Sequence, residues 1–234
     1  MASESQKKNI ILLGGTGPSG LLTLKLAFDH GHLVTVYARS PQKIPTDLAS
    51  HSNIKIIKGS LQETERFFDL LPGTDTIISL LGPTSPWHTG TELSTFYISL
   101  LQHLQTTPHP PHILALNTIS IRQPSDSSSL TASLLVWIVY LLANSAYTEL
   151  HQIAAVFEKE GKGLPWTNFR VAWLADGLDA EEANAGMVGK GGWGMRMEKR
   201  ELASWCVGEA ERGVGASKWV GKMPALFGGR KKEV

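Results

Sequence analysis

A chain of 234 residues is about 1.5 times the usual domain size, which favours one large domain or a domain with a small appendage. Hydrophobic residues at 42% and charged residues at 18% exclude disorder as the main state. The 22 basic and 21 acidic side chains, a net charge of +1, leave nothing that attracts nucleic acid or an anionic membrane over long range. The single cysteine, Cys206, excludes an internal disulfide framework and a cysteine-rich zinc site, so a reducing, cytoplasmic setting is expected.

The first eight residues are polar and read as a flexible N-terminus. Asn9–Gly14 is a short apolar run ending in glycine, the pattern of a strand buried on both faces. It is too short for the core of a signal peptide. Pro18–Asp29 has helical spacing and stops at His30-Gly31, Leu33–Ala38 is a β-branched strand, and Pro41–Ala49 holds a short helix. A third strand follows at Ile54–Lys58, a helix at Gln62–Leu71 closed by Pro72-Gly73, and a fourth strand at Thr76–Leu81. Glu92–Leu104 is helical, His112–Asn117 is a fifth strand, and a long helical stretch covers Thr131–Lys159 with a break near Asn144-Ser145. Within that stretch Leu134–Ala143 is the most apolar segment of the chain. About ten residues at ~1.5 Å each reach only half of a ~30 Å hydrocarbon core, so a buried helix or pocket wall is expected and no membrane span. Trp166–Ala172 is a sixth strand, Glu198–Ala210 a late helix and Ser217–Val220 a last strand. The Ser125–Ser129 and Gly186–Gly194 stretches read as mobile loops near a mouth, and 227–234 as a flexible tail. Strands alternating with helices imply right-handed βαβ units, a mainly parallel sheet and helices on both faces, an α/β doubly wound fold.

The first turn carries the clearest chemistry. Gly14-Gly15-Thr16-Gly17-Pro18-Ser19-Gly20 lies between the first strand and the first helix and satisfies G-x-G-x-x-G through Gly15, Gly17 and Gly20. A dinucleotide site asks for glycine three times: for the turn, for bare backbone beside a pyrophosphate, and for close helix–strand packing. The helix N-terminus then presents N–H groups and the positive end of its dipole. At the end of the second strand, an acid would select NAD and an arginine NADP. Here the residues are Arg39-Ser40, with Lys43 a turn later and no acid before Asp47, so NADP(H) is expected.

The series GGTGPSG, VTVYARSPQKI, IIKGSLQE, TDTIISLLG, ILALNTIS, PWTNFRVAWLADG and EKRELASW runs in the order and spacing of one family. The chain resembles the atypical short-chain dehydrogenase/reductases with an NAD(P)-binding, NmrA-like fold, and within them the small biliverdin-IXβ/flavin-reductase type, over about residues 9–226. The resemblance implies a Rossmann-like sheet of order 3-2-1-4-5-6 in a single domain, with a small C-terminal substrate lobe from about 120–150 and 174–226. It implies NADP-linked chemistry on a small, often flat or aromatic substrate. Carried over by position, Gly14–Gly20 takes the pyrophosphate and Arg39, Ser40 and Lys43 take the 2′-phosphate. Ser60 stands near the adenine where the family often has aspartate, and Leu81-Gly82 pass beside the riboses. Asn117, Thr118 and Ser120 lie near the nicotinamide, with either hydroxyl in the orienting role. Val171 replaces the proline usual after the family's arginine.

Many relatives in the wider superfamily use Tyr-x-x-x-Lys, in which the lysine lowers the tyrosine pKa. Here the segment reads Tyr147-Thr148-Glu149-Leu150-His151, so histidine stands in the lysine position. Residues i and i+4 share a helix face, so Tyr147 and His151 can act together, with Tyr147 as a proton donor or as a tyrosine that caps the pocket. His88, His103, His109 and His112 fit no zinc spacing and read as surface histidines, and no metal is expected. Trp87, Trp137, Trp173 and Trp193 fall near strand C-termini, where ligand pockets form in open α/β sheets, so they can line an aromatic pocket, though core packing explains each as well. Three functions follow. The first is an NADP(H)-dependent reductase of a small hydrophobic or aromatic carbonyl, quinone, enone or flavin-like substrate. The second is a redox-neutral isomerase or cyclase on the same fold, and the third an NmrA-like NADP-binding regulator without turnover. A monomer or weak homodimer acting on a small molecule is expected.

Overall fold

The computed structural model describes residues 6–83, 90–127, 144–177, 183–190 and 193–229. Strands β1 (Asn9–Leu13), β2 (Leu33–Ala38), β3 (Ile54–Lys58), β4 (Thr76–Ser79), β5 (His112–Thr118) and β6 (Trp166–Val171) are the parallel part of an eight-stranded sheet. Two further strands, β8 (Asn184–Gly186) and β10 (Ala225–Phe227), complete it in the order β3-β2-β1-β4-β5-β6-β10-β8. β10 runs parallel to β6 and β8 antiparallel to β10. β7 (Trp173–Ala175) and β9 (Arg196–Glu198) form a separate two-stranded parallel ribbon. The expected order 3-2-1-4-5-6 is the frame of the molecule.

The alternation of side chains along β1 shows why both faces are covered. Ile10 and Leu12 pack with Leu24 and Ala27 of α1 (Pro18–Asp29), Leu48 of α2 (Thr46–Ala49), and Leu202, Trp205 and Cys206 of α6 (Lys199–Ala216). Ile11 and Leu13 face the other way, onto Phe67 of α3 (Thr64–Phe68), Phe96, Tyr97 and Leu100 of α4 (Glu92–Leu104), and Ile153 and Phe157 of α5 (Asn144–Glu160). A strand buried on both faces reads as an unbroken apolar run, which is what Ile10–Leu13 is.

Several boundaries differ from those expected. The helix over Pro41–Ala49 splits into a 3₁₀ turn at Pro41–Lys43 and the short α2, because Pro45 carries no N–H to continue the ladder. The helix at 62–71 contracts to α3, since the Ser60 N–H is taken at 2.7 Å by the Glu63 carboxylate in a preceding turn. The last strand is Ala225–Phe227 rather than Ser217–Val220. Gly213, at φ 64, breaks the end of α6, the Ser217 hydroxyl is held at 2.6 Å by Glu209, and Gly221 turns at φ 70 before the chain enters the sheet. Order continues past β10: the Gly229 N–H reaches Glu201 at 2.8 Å. The long helical stretch is helical from Asn144 on, and Leu134–Ala143, Trp87 and Trp137 lie outside the described residues.

Beyond β6 the sheet is organised by one charge. Arg170 is fully buried. Its Nε donates to the Met223 carbonyl at 2.7 Å, and Nη1 donates to the Ile121 carbonyl at 2.6 Å and to Asp126 Oδ2 at 2.6 Å. Nη2 donates to Asp126 Oδ1 at 3.0 Å. The Asp126 carboxylate also accepts the backbone N–H groups of Gln123 and Val188. Burial pushes the Asp126 carboxyl up, but the hydrogen bonds and positive charge of Arg170, together with those two N–H groups, outweigh it and hold it below the ordinary range. A carboxyl with a depressed folded pKa contributes stability that is full above its unfolded pKa of about 3.9 and is lost as pH falls through the folded value. An Asp126→Ala variant leaves the guanidinium buried without its counter-charge. It is expected to lose about 3–5 kcal/mol in urea unfolding and to show a weaker acid-side dependence of the midpoint than the parent.

Candidate cofactor and active site

The C-terminal ends of β1, β2 and β4 open into a cleft of about 330 Å³, which reaches to Gly59-Ser60 after β3. Its floor is the glycine turn. Gly14 has φ 77, and a Cβ there would lie 2.8 Å from the Leu80 carbonyl. A Cβ on Gly15 would press on Val36 at 2.8 Å, and one on Gly20 would overlap the Gly14 carbonyl itself. The turn therefore sits flush against the ends of β1, β2 and β4, with its backbone bare toward the cleft. Gly17 is the N-cap of α1, Pro18 opens the first turn, and no side chain caps the helix. The first-turn N–H groups of Ser19 and Gly20 are thus left to a ligand, where the helix dipole favours an anion. Thr16 lines the cleft, and the Ser19 carbonyl is taken by the Thr23 hydroxyl at 2.9 Å.

At the other end the cleft is basic. Arg39 and Lys43 are exposed, Ser40 is half-buried, and all three line the wall. Among the described residues no ion pair engages Arg39 or Lys43. Tyr37 stands behind them, its hydroxyl donating to the Ser60 carbonyl at 2.9 Å and its ring packed edge-on to Phe67. Burial raises its pKa, so it stays a neutral donor. A Cβ on Gly59 would overlap the Tyr37 hydroxyl, which makes that glycine necessary where β3 ends. Ser60, Leu81 and Gly82 complete the lining as expected from the sequence. Bare backbone over a helix N-terminus and unpaired cations one strand away fit the pyrophosphate and the 2′-phosphate of NADP(H).

The candidate catalytic residues, and Asn117 expected near the nicotinamide, lie outside this cleft, at the end of β5, in the turn after it and on α5. Asn117 is buried in the sheet, and its amide is used there: Nδ2 donates to Asn168 at 2.8 Å and to the Leu150 carbonyl at 3.2 Å, and Oδ1 accepts the Thr118 N–H at 2.8 Å. Its visible role is to aim the end of β5 and anchor α5. Thr118 is half-buried at the strand end, and its hydroxyl receives the Ser120 N–H at 3.4 Å. Ser120 is 4% exposed, and its hydroxyl has no partner among the described residues. The rings of Tyr147 and His151 lie 4.1 Å apart, so the i, i+4 pairing is real. Burial lowers the His151 pKa and its Nε2 has no hydrogen-bond partner among the described residues, so a neutral imidazole stands beside the phenol. Glu149, between them in sequence, turns inward and accepts the Leu93 N–H at 3.0 Å, binding α5 to the first turn of α4.

Other candidates separate cleanly. His112 is buried, bonded to the Thr167 hydroxyl at 3.0 Å and pushed down to about 4 by burial, so it is a core residue and not a surface histidine. His103 stacks on Phe68, His109 is exposed, and His88 lies outside the described residues. Trp173 is 63% exposed, whereas Trp193 packs beside Ile119, Val188 and Ala225 with its indole N–H buried and without a partner among the described residues. Asp176 is paired with Lys199 at 2.7 Å.

A sequence profile described as NAD(P)H-binding matches residues 14–212, from the glycine turn to the end of α6. The chain belongs to the NAD(P)H-binding family. Solved structures share the fold of this NAD(P)H-binding protein at low identity. A short-chain dehydrogenase/reductase from Veillonella parvula has a TM-score of 0.75 at 15% identity over 94% of each chain. A second structure of a Veillonella parvula short-chain dehydrogenase/reductase, in complex with NADP, has a TM-score of 0.72 at 15% identity over 94% of each chain. An anaerobillin reductase from Escherichia coli has a TM-score of 0.67 at 14% identity, over 97% of this chain and all of that one.

The tight glycine contact gives a direct check of the cofactor floor. Gly20→Ala drives a methyl into the Gly14 carbonyl. It is expected to weaken NADPH binding more than about 10-fold, the equivalent of about 1.4 kcal/mol, in a nicotinamide fluorescence titration.

Proposed function

We propose that this protein is an NADP(H)-dependent reductase of a small hydrophobic or aromatic acceptor, a carbonyl, quinone, enone or flavin-like molecule. The observation that carries the cofactor choice is the exposed Arg39–Lys43 pair at the rim of a cleft whose floor is bare backbone. The bound dihydronicotinamide supplies the hydride. Arg39 and Lys43 hold the 2′-phosphate, the turn at Gly14–Gly20 holds the pyrophosphate, and Leu81-Gly82 bound the path between the two halves of the cofactor. Ser120, with Thr118 before it, offers a buried hydroxyl donor to an acceptor oxygen.

Tyr147 is read as a residue that shapes the pocket. A phenol whose ordinary pKa is about 10 becomes a useful acid at neutral pH only beside a positive charge. The imidazole next to it is held neutral by burial. His151 therefore does not supply that charge, and the reading rests on orientation of the acceptor and exclusion of water, which suits acceptors that take hydride without prior protonation. The resemblance to flavin and bilin reductases points the same way.

Oxidation of NADPH followed at the nicotinamide band, against a panel of quinones, enones and flavins, tests the activity. Turnover with at least one class is expected, and substrate conversion without loss of NADPH would replace this reading with the redox-neutral one. Charge-assisted hydrogen bonds are worth about 1.5–3 kcal/mol, so Arg39→Ala is expected to raise the NADPH Kd by about 10- to 150-fold and leave NADH binding unchanged. Tyr147→Phe is expected to keep kcat within about 10-fold of the parent, whereas loss of a general acid costs about 10²–10⁴-fold.

A further inference from the structure

A second constellation lies at the opposite end of the sheet. His30 caps the C-terminus of α1, His32 immediately precedes β2, and Glu211 is on α6. Gly31, at φ 81, turns the backbone between the two histidines so that both imidazoles face one carboxylate. His30 Nδ1 lies 2.8 Å and His32 Nε2 3.1 Å from the same oxygen, Oε1 of Glu211. One ligand-type atom from each of the three residues lies within 4.8 Å of the other two. His30 and Glu211 also form part of the wall of a cavity of about 520 Å³, which runs on to Glu209, Arg212 and Lys218.

We propose that His30, His32 and Glu211 form a divalent-cation site with a preference for zinc. Two imidazole nitrogens and one carboxylate oxygen are borderline-soft and hard donors in the proportion zinc accepts, and the adjoining cavity leaves room for water in the fourth position. Zinc–nitrogen bonds are about 2.0–2.1 Å, so the ligand atoms close on the ion with small movements, and the half-exposed His30 is free to make them. His32 is wholly buried, which fixes its ring in place, and a deprotonated ring nitrogen is the atom that donates a lone pair to a metal. Without a cation the two ring N–H groups share the Glu211 oxygen, and a bound cation takes the place of both protons. The backbone N–H of Lys8 approaches His32 Nδ1 at 3.4 Å. That long contact is given up when Nε2 takes the metal and the ring proton moves to Nδ1.

The site is remote from the cofactor. β2 runs six residues from Leu33 to Ala38, and at about 3.3 Å per residue this places the cluster roughly 20 Å from Arg39. A cation there joins the α1–β2 turn to α6, the helix packed along α1. It acts as a fastener for that layer and takes no part in the chemistry at the cleft.

The test is titration of the untagged full-length chain with Co(II), read by its visible d–d bands, followed by displacement with Zn(II). One equivalent is expected to bind with micromolar affinity, with a higher thermal midpoint in zinc and unchanged NADPH affinity. His30→Ala and Glu211→Gln are expected to lose the bands and the zinc-dependent midpoint shift, with NADPH titration showing that both fold. His109→Ala, at an exposed histidine elsewhere, is expected to keep both. Absence of saturable binding would overturn the site. So would equal binding by the His30→Ala and Glu211→Gln proteins, because the three residues would then be only a hydrogen-bonded cluster.

Discussion

The charge of Arg170 is the constraint around which the C-terminal half arranges itself. A guanidinium cannot shed its proton, so its complete burial demands a carboxylate and acceptors at fixed positions. Asp126 answers with both oxygens, and the Ile121 and Met223 carbonyls accept from Nη1 and Nε. Those partners come from the loop after β5, the approach to β10 and, through the Val188 N–H, the segment after β8. One side chain on β6 thus sets where three chain segments meet, and these segments flank the strand end that carries Thr118 and Ser120. The packing of the region is directional as well as apolar.

The two ends of the sheet divide the labour. At the C-terminal ends of the strands, side chains are removed: glycine stands at 14, 15, 20 and 59, each where a methyl would strike backbone, an aliphatic side chain or the Tyr37 hydroxyl. The space gained is shaped for a ligand that brings its own charge. At the N-terminal ends, ionisable groups are present instead and bond to one another, as His30 and His32 do to Glu211. The overall charge of +1 hides this asymmetry.

The parallel core was readable from periodicity because unbroken apolar runs such as Ile10–Leu13 and Ile113–Leu116 have only one home, a strand covered on both faces. The glycine turn was readable because its chemistry is local, seven residues in a row between a strand and a helix. Arg39 was readable for the same reason. What depended on distant partners was not. Arg170 looks like any arginine in a strand until Asp126, 44 residues away, is seen beside it. The same is true of Glu211, which lies 179 residues from His32. His112 was misjudged because a polar residue next to prolines resembles a surface turn, yet it opens β5 and finds the Thr167 hydroxyl in the interior. The last strand was misplaced because Ala225–Phe227 is only three residues long, below the length at which alternation can be recognised.

Cys206 carries a last consequence. It is the only thiol in the chain, it is fully buried on α6, and burial pushes its pKa far up, so a folded molecule offers almost no thiolate to a reagent. Its surroundings include Leu12, Phe169 and Trp205, residues of the sheet and of the helix covering it. The rate at which an alkylating reagent modifies this protein is therefore a clock for separation of α6 from the sheet, a readout of global opening built into the native chain without any label.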